Sequence, residues 1–300
     1  MRNPMKRMIR AGLKAACGDM SHEDKIWARY SNDKVDIGET LAKVIRTLTR
    51  ALPLSRNLRA LSIGSSDEPQ FRILETMFRG GLYLLDIEKG ALDIVRERIC
   101  RQYTGHVRAI VGDYRELFLR PGNAQAFLKK KLTDRKVNLI TLHHSLYYAD
   151  ESQWLPLFEN LFKRLLEPQG VIHAVLMSSE STNPHSTTWL YNYFAGKFFG
   201  HRNDQDLLRF KRKLCHNPLF RKAQIRSKTS HVKCFVNDFE KLMGVVWMIL
   251  LYPHVHPYSL KQRKEITDHI YKKFWKGRQP LLQQQDHLAI YQGINFKGLI

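Results

Sequence analysis

The sequence predicts an α/β protein built on a doubly wound parallel sheet, and three observations predict it. Short runs of five to seven apolar residues recur along the chain. Helical patterns separate them, at intervals of 25–30 residues. Polar residues follow four successive runs. Alternating strands and helices are the pattern of βαβ units, whose crossovers force a parallel sheet covered on both faces.

From Gly38 to Leu52, Leu41, Val44, Ile45, Leu48 and Leu52 fall on one helical face, and Pro53 ends the run. "RALSIG" (59–64) reads as a buried strand. "EPQFRILETMFR" (68–79) reads as a helix with Asp67 as its N-cap. Strands then follow at 82–86, 107–111, 137–143 and 171–177. Helices are expected at 90–103 and 152–166, with "EPQG" as the turn into the fifth strand. Residues 178–235 break the rhythm. Segment 197–235 holds eleven Lys or Arg against Asp204 and Asp206, and aromatics from Trp189 to Phe199 precede it. This reads as a basic, aromatic helical insertion without a strand. Further on, 236–244 reads as a short helix stopped by Gly244, 245–252 as a strand, 259–275 as a helix and 286–293 as the last strand. Two domains follow: an N-terminal helical segment or cap, 1–55, and the α/β domain, 56–300.

The 300 residues are 43% hydrophobic, enough for a sizeable core. The mean hydropathy is −0.39, and the longest apolar run, Gly244 to Tyr252, is too short to span a bilayer. The net charge of +21 favours anionic partners, although a general basic bias gives the same number. Cys17, Cys100, Cys215 and Cys234 form no CxxC and read as reduced thiols of a cytoplasmic protein. The basic N-terminus lacks the apolar core of a signal peptide, leaving a basic surface helix or a transit peptide. His254 and His256 lack a third ligand in reach, so no metal is expected.

In a doubly wound sheet, ligands bind beyond the carboxyl ends of the strands. The first strand ends in Gly64-Ser65-Ser66-Asp67-Glu68-Pro69, with one glycine for a tight turn. The second ends in Asp86, 22 residues past Gly64, where a carboxylate can accept both ribose hydroxyls of a nucleoside. Asp113 follows the third strand. His143, His144, Tyr147 and Tyr148 follow the fourth. Each has an ordinary reading too: Asp86 as a surface acid, Asp113 as a helix N-cap, half of "HHSLYY" as packing.

The order "LSIG…LYLLDIEKGALDIVRER…VGDYREL…VNLITLHHSLYYADE…LLEPQGVIHAVL" resembles the class I S-adenosylmethionine-dependent methyltransferases. The resemblance spans 59–177, and 236–293 more loosely. "LSIG", "LYY" and "DHLAIYQG" are similar to the histamine N-methyltransferase-like branch. The resemblance implies a seven-stranded Rossmann-like sheet and S-adenosyl-L-methionine as cofactor. It implies that Gly64 and Ser66 approach the cofactor's methionine part, and that Ser62 holds a position often acidic. It gives Asp86 the ribose, Ile87 the adenine ring, and Asp113 with Tyr114 the adenine amino group. Leu142 and His143 fall near the sulfonium. His143, His144, Tyr147 and Tyr148 lie where an acceptor sits, and Tyr30 either closes over the cofactor or simply packs. The usual GxGxG is Gly64, Ser66 and Glu68 here, a divergent loop. The expected function is methyl transfer to a small-molecule N or O acceptor of anionic character, with 178–235 as lid or substrate wall. The alternatives are a nucleic-acid methyltransferase binding RNA or DNA through 197–235, and a non-catalytic protein of this fold that binds a partner.

Overall fold

Successive side chains of a strand point to opposite faces, so a strand buried on both sides must be apolar at every position. β1 (Arg59–Ile63), β2 (Gly81–Asp86) and β4 (Val137–His143) approach that condition: they are buried over nearly their whole length and mainly apolar, with a few polar residues that find partners. A computed structural model describes residues 4–15, 20–52, 57–64 and 70–294. Its seven-stranded sheet has the order β3-β2-β1-β4-β5-β7-β6. The further strands are β3 (Val107–Val111), β5 (Leu166–Met177), β6 (Gln224–Cys234) and β7 (Leu281–Gln292). Pairings β3–β2, β2–β1, β1–β4 and β4–β5 are parallel.

The described chain forms two compact units. The first comprises 37–176, 207–228 and 286–300. Here alternate strand residues feed two cores. On one face Ala60, Leu82, Leu84, Leu139 and Val171 pack with α3 (Asp33–Ala51), α4 (Phe71–Met77) and α5 (Lys89–Gln102). On the other, Leu61, Leu85, Ile140, Leu142 and Ile172 pack with α6 (Tyr114–Phe118), α7 (Pro121–Lys131), α8 (Glu151–Asn160) and α10 (Leu207–His216). Helices on both faces make the sheet doubly wound, as predicted.

The second unit comprises 1–36, 177–206 and 229–285. It holds α1 (Pro4–Ala15), α2 (Met20–Tyr30), α9 (Thr187–Phe199), α11 (Phe239–Ile249) and α12 (Leu260–Ile270). Its core joins Trp27, Leu190, Phe194, Met243, Val246 and Ile266.

Three expectations are corrected. Segment 245–252 is not a strand: α11 continues through a buried Gly244 to Ile249. Its apolar residues run all round the helix, which hides the 3.6-residue period. The 178–235 segment is not purely helical, since β6 supplies a strand of 11 residues at the sheet edge. Charged and polar residues on its exposed face masked it. "EPQG" is no turn but an irregular stretch of β5: Val137 pairs Leu166 and Leu139 pairs Val171, a register shift that absorbs those residues. Asp67, expected as an N-cap, lies outside the described residues, and Gln70 precedes α4. Among the described residues no helix is long and apolar enough to cross a membrane.

Candidate cofactor site at the strand ends

Each of the central strands hands its register on by one residue. The Gly64 N–H donates to the Leu85 carbonyl at 2.9 Å, and the Gly112 N–H to the Asp86 carbonyl at 2.9 Å. The His144 N–H donates to the Val175 carbonyl at 2.9 Å. These bonds fix where the loops leave the sheet.

Gly64 has φ +69, and a Cβ there would stand 2.4 Å from the Ser145 Cβ. Only glycine fits this turn. Ser145 lies in the loop after β4, is 2% exposed, and its Oγ has no hydrogen-bond partner among the described residues. A buried hydroxyl without a partner is costly, so such a group beside a glycine turn calls for an occupant. The Tyr114 hydroxyl donates to the Ser145 carbonyl at 2.9 Å and pins the loop from below. Burial raises the Tyr114 pKa, so the phenol keeps its proton.

Asp86 closes β2 and is buried, and its Oδ1 accepts the Glu88 N–H at 2.8 Å. That bond holds the carboxylate in one orientation at the end of the strand. The next residue, Ile87, is 58% exposed, an apolar side chain offered to solvent beside a buried acid. Asp113 takes the N-cap role: it accepts the Arg115 N–H at 2.8 Å, and the Arg115 guanidinium donates Nε to its Oδ1 and Nη2 to its Oδ2. Its pKa is lowered by the Arg115 side chain. Arg115 also donates to the Tyr148 carbonyl at 2.9 Å, joining the β3 and β4 loops.

The β4 end carries the histidine run. His144 sits at φ +52, a strained setting for a non-glycine residue. Its ring stacks on Tyr147 at an interplanar angle of 7°, with Nδ1 3.3 Å from the phenol oxygen. His143 turns back toward the sheet: its Nε2 lies 3.0 Å from Nδ1 of His173, on β5. His173 is fully buried, which pushes its pKa down to about 3, and its ring stacks near-parallel on His287 of β7. Ser62 accepts from the Thr141 hydroxyl at 3.0 Å on the same face. Ser62, Thr141, His143, His173 and His287 thus form one polar strip on the sheet.

The structure therefore brings Gly64, Asp86, Ile87, Asp113, Tyr114, His143, His144, Tyr147 and Tyr148 to the carboxyl ends of β1–β4. Leu142 is fully buried in the core, so only its backbone is available at the strand end. Ser66 lies outside the described residues. Tyr30 belongs to the second unit, with the cations of Arg29 and Lys241 each 5.8 Å from its ring centre. Ser145, Arg115, His173 and His287 were missed. A histidine inside the apolar run "VIHAVL" was the available signal for His173. Among the described residues no three His, Cys, Asp or Glu side chains gather as a metal site.

No family model matches the sequence, and no curated protein matches it either. Solved structures do. The YcgJ protein of Bacillus subtilis is 13% identical, with 85% of this chain and 98% of that one covered at a TM-score of 0.53. A provisionally named methyltransferase of Bacillus halodurans is 14% identical, with 83% and 99% covered at a TM-score of 0.52. The fold is the Rossmann-like methyltransferase fold. In the methyltransferase fold a cofactor is implied, and the strand ends fit it on three counts: a glycine turn, an oriented buried carboxylate, and a buried hydroxyl with no partner among the described residues.

Proposed function

We propose that the protein is an S-adenosylmethionine-dependent methyltransferase acting on an N or O acceptor. The observation that carries the reading is the Ser145 Oγ beside the Gly64 turn, buried and without a hydrogen-bond partner among the described residues. Gly64 and Ser145 would face the amino-acid part of the cofactor, Asp86 would accept the ribose hydroxyls, and Ile87 would cover the base. When bound, the cofactor supplies a methyl group on a sulfonium, open to in-line displacement. The chain's own task is then positioning and exclusion of water. His144 and Tyr147, stacked at the β4 end, orient the acceptor. His143 is held by His173, which burial keeps neutral. A base is needed only for an acceptor that arrives protonated, and His144 is the imidazole at the loop for that proton.

Thermal unfolding tests the reading. S-adenosylhomocysteine at about 1 mM is expected to raise the midpoint by a few degrees. Ser145→Val, which fills the space with a methyl group and removes the hydroxyl, is expected to abolish that rise. A wild-type protein with no rise contradicts the proposal.

A further inference from the structure

At one side of the sheet β3 is the outermost strand, with β2 as its neighbour. An edge strand presents a row of backbone N–H and C=O groups open to pairing. The bonds at the two ends of β3 show which groups these are. The Leu82 N–H donates to the His106 carbonyl at 2.9 Å, and the Gly112 N–H to the Asp86 carbonyl at 2.9 Å. Backbone groups alternate sides along a parallel strand, so residues 106, 108, 110 and 112 face β2. Ala109 and Val111 therefore turn both N–H and C=O outward. The Val107 N–H, on the same side, is taken by the Thr104 carbonyl at 3.0 Å.

This edge is the floor of a groove of about 590 Å³. α5 forms one wall with Arg96, Ile99 and Cys100, and the end of α7 forms the other with Lys130 and Lys131. Arg108 of β3 adds a further cation, and no acid lines the groove among the described residues. Arg96 is paired with Asp93 at 2.5 Å. Arg108, Lys130 and Lys131 are exposed and make no ion pair among the described residues. Cations by themselves are a common guard against edge pairing. A guarded edge has no reason to show apolar surface, and this one does. Val111 is 46% exposed, and Tyr103, which leads from α5 into β3, is 94% exposed at φ +51.

Three kinds of occupant can be weighed. Pairing of β3 with a second copy would gather the groove cations of two chains, each of net charge +21. A phosphate backbone offers acceptors and would leave the outward carbonyls unmatched. An extended peptide matches donors and acceptors in alternation, and acidic side chains on it meet the cations on both walls. We propose that the β3 edge is a docking site for an extended, acidic segment of a partner protein, which adds a strand to the sheet. The proposal uses this surface alone and stands whether or not the chain transfers methyl groups.

The test follows fluorescence anisotropy of the full chain with a labelled peptide of about ten residues, alternating glutamate and valine. Saturable binding below about 1 mM is expected. The same peptide with every backbone nitrogen methylated keeps its charge but cannot pair, and should bind at least about tenfold more weakly. On binding of the unmethylated peptide, hydrogen exchange at the Ala109 and Val111 amides should slow at least about tenfold, while Arg108 and Ile110, already in the ladder, change little. Arg108→Glu with Lys130→Glu and Lys131→Glu should weaken binding at least about tenfold. An equal charge change elsewhere, Arg212→Glu with Arg221→Glu and Lys222→Glu, should weaken it less than about threefold. Ala109→Pro removes one outward N–H and no ladder bond, so it should weaken binding at unchanged charge. If a variant fails to fold, the methylated peptide and the exchange pattern decide on the wild type. No saturable binding, equal binding of the methylated peptide, or equal weakening by both charge variants overturns the proposal. So does protection of Ala109 and Val111 by single-stranded RNA in place of the peptide. A dimer in sedimentation that Arg108→Glu dissolves also overturns it, since a second copy then covers the edge.

Discussion

The two compact units each gather three histidines, and they use them differently. In the sheet unit, His143, His173 and His287 form a strip along neighbouring strands that ends at the candidate site. In the helical unit, His201, His254 and His256 lie among aromatic rings: His256 stacks on Phe199 with centres 4.5 Å apart, and Tyr191 Oη is 3.3 Å from its Nε2. His269 of the same unit packs against Trp189, Tyr193 and Phe194. Burial lowers the pKa of His256 and His269, as it does that of His173. A shifted histidine alone therefore says nothing about function. What separates the clusters is their surroundings: one lies beside a glycine turn, an orphaned hydroxyl and an exposed apolar side chain, the other fills a wall of rings.

The same contrast orders the expected effects of substitution. Arg59 is a buried cation of the sheet unit, held by the carbonyls of Leu132, Arg135 and Lys136 and by the Tyr83 hydroxyl. Arg59→Met removes a buried donor shared by several acceptors and is expected to cost about 4 kcal/mol in urea unfolding. Lys197 of the helical unit makes an exposed pair with Glu265, and Lys197→Met should leave the urea midpoint almost unchanged. Equal losses would break the comparison.

Two left-handed glycines sharpen it further. Gly64→Ala meets both an unfavourable left-handed φ and the Ser145 side chain, and should cost about 3 kcal/mol. Gly200 has φ +72 with nothing within 4 Å of an added Cβ, so Gly200→Ala should cost only about 1 kcal/mol. Denaturant midpoints of the two variants decide this.

The last effect is a pH slope. His173 has its folded pKa depressed to about 3, whereas the unfolded imidazole titrates near 6.5. The unfolded state therefore binds the extra proton first. Stability is fully present above pH 6.5 and is lost as pH falls toward 3, by about 1.4 kcal/mol per unit. His173→Gln should flatten the profile between pH 6.5 and 5 by one proton, and His256→Gln by less. A profile unchanged in His173→Gln would contradict the assigned burial.

Much of the sheet was legible because its helices are amphipathic and its strands are not, so the two periods separate. β3 and β4 fall on the predicted residues, and β1 and β2 within one residue. The second half was less so. α11 is apolar on all sides and β6 is a charged edge strand, and neither shows a clean period. In the site, Asp86 and the His143–Tyr148 run were readable as polar punctuation after strands. Ser145 was not, because its meaning depends on the approach of Gly64, about eighty residues away in sequence. The Arg115 clamp on Asp113 was equally invisible, since a two-residue spacing says nothing about which acid a guanidinium holds.

The central claim is that the glycine-poor turn after β1 still works. Calorimetric titration of the wild-type chain with S-adenosylmethionine and S-adenosylhomocysteine, with Asp86→Ala beside it, tests that most directly. The account predicts micromolar-range binding of both by the wild type, and loss of at least about tenfold in affinity in the variant as the ribose acceptor is removed. Absence of binding to the folded wild type at millimolar ligand, or equal binding by Asp86→Ala, would contradict it.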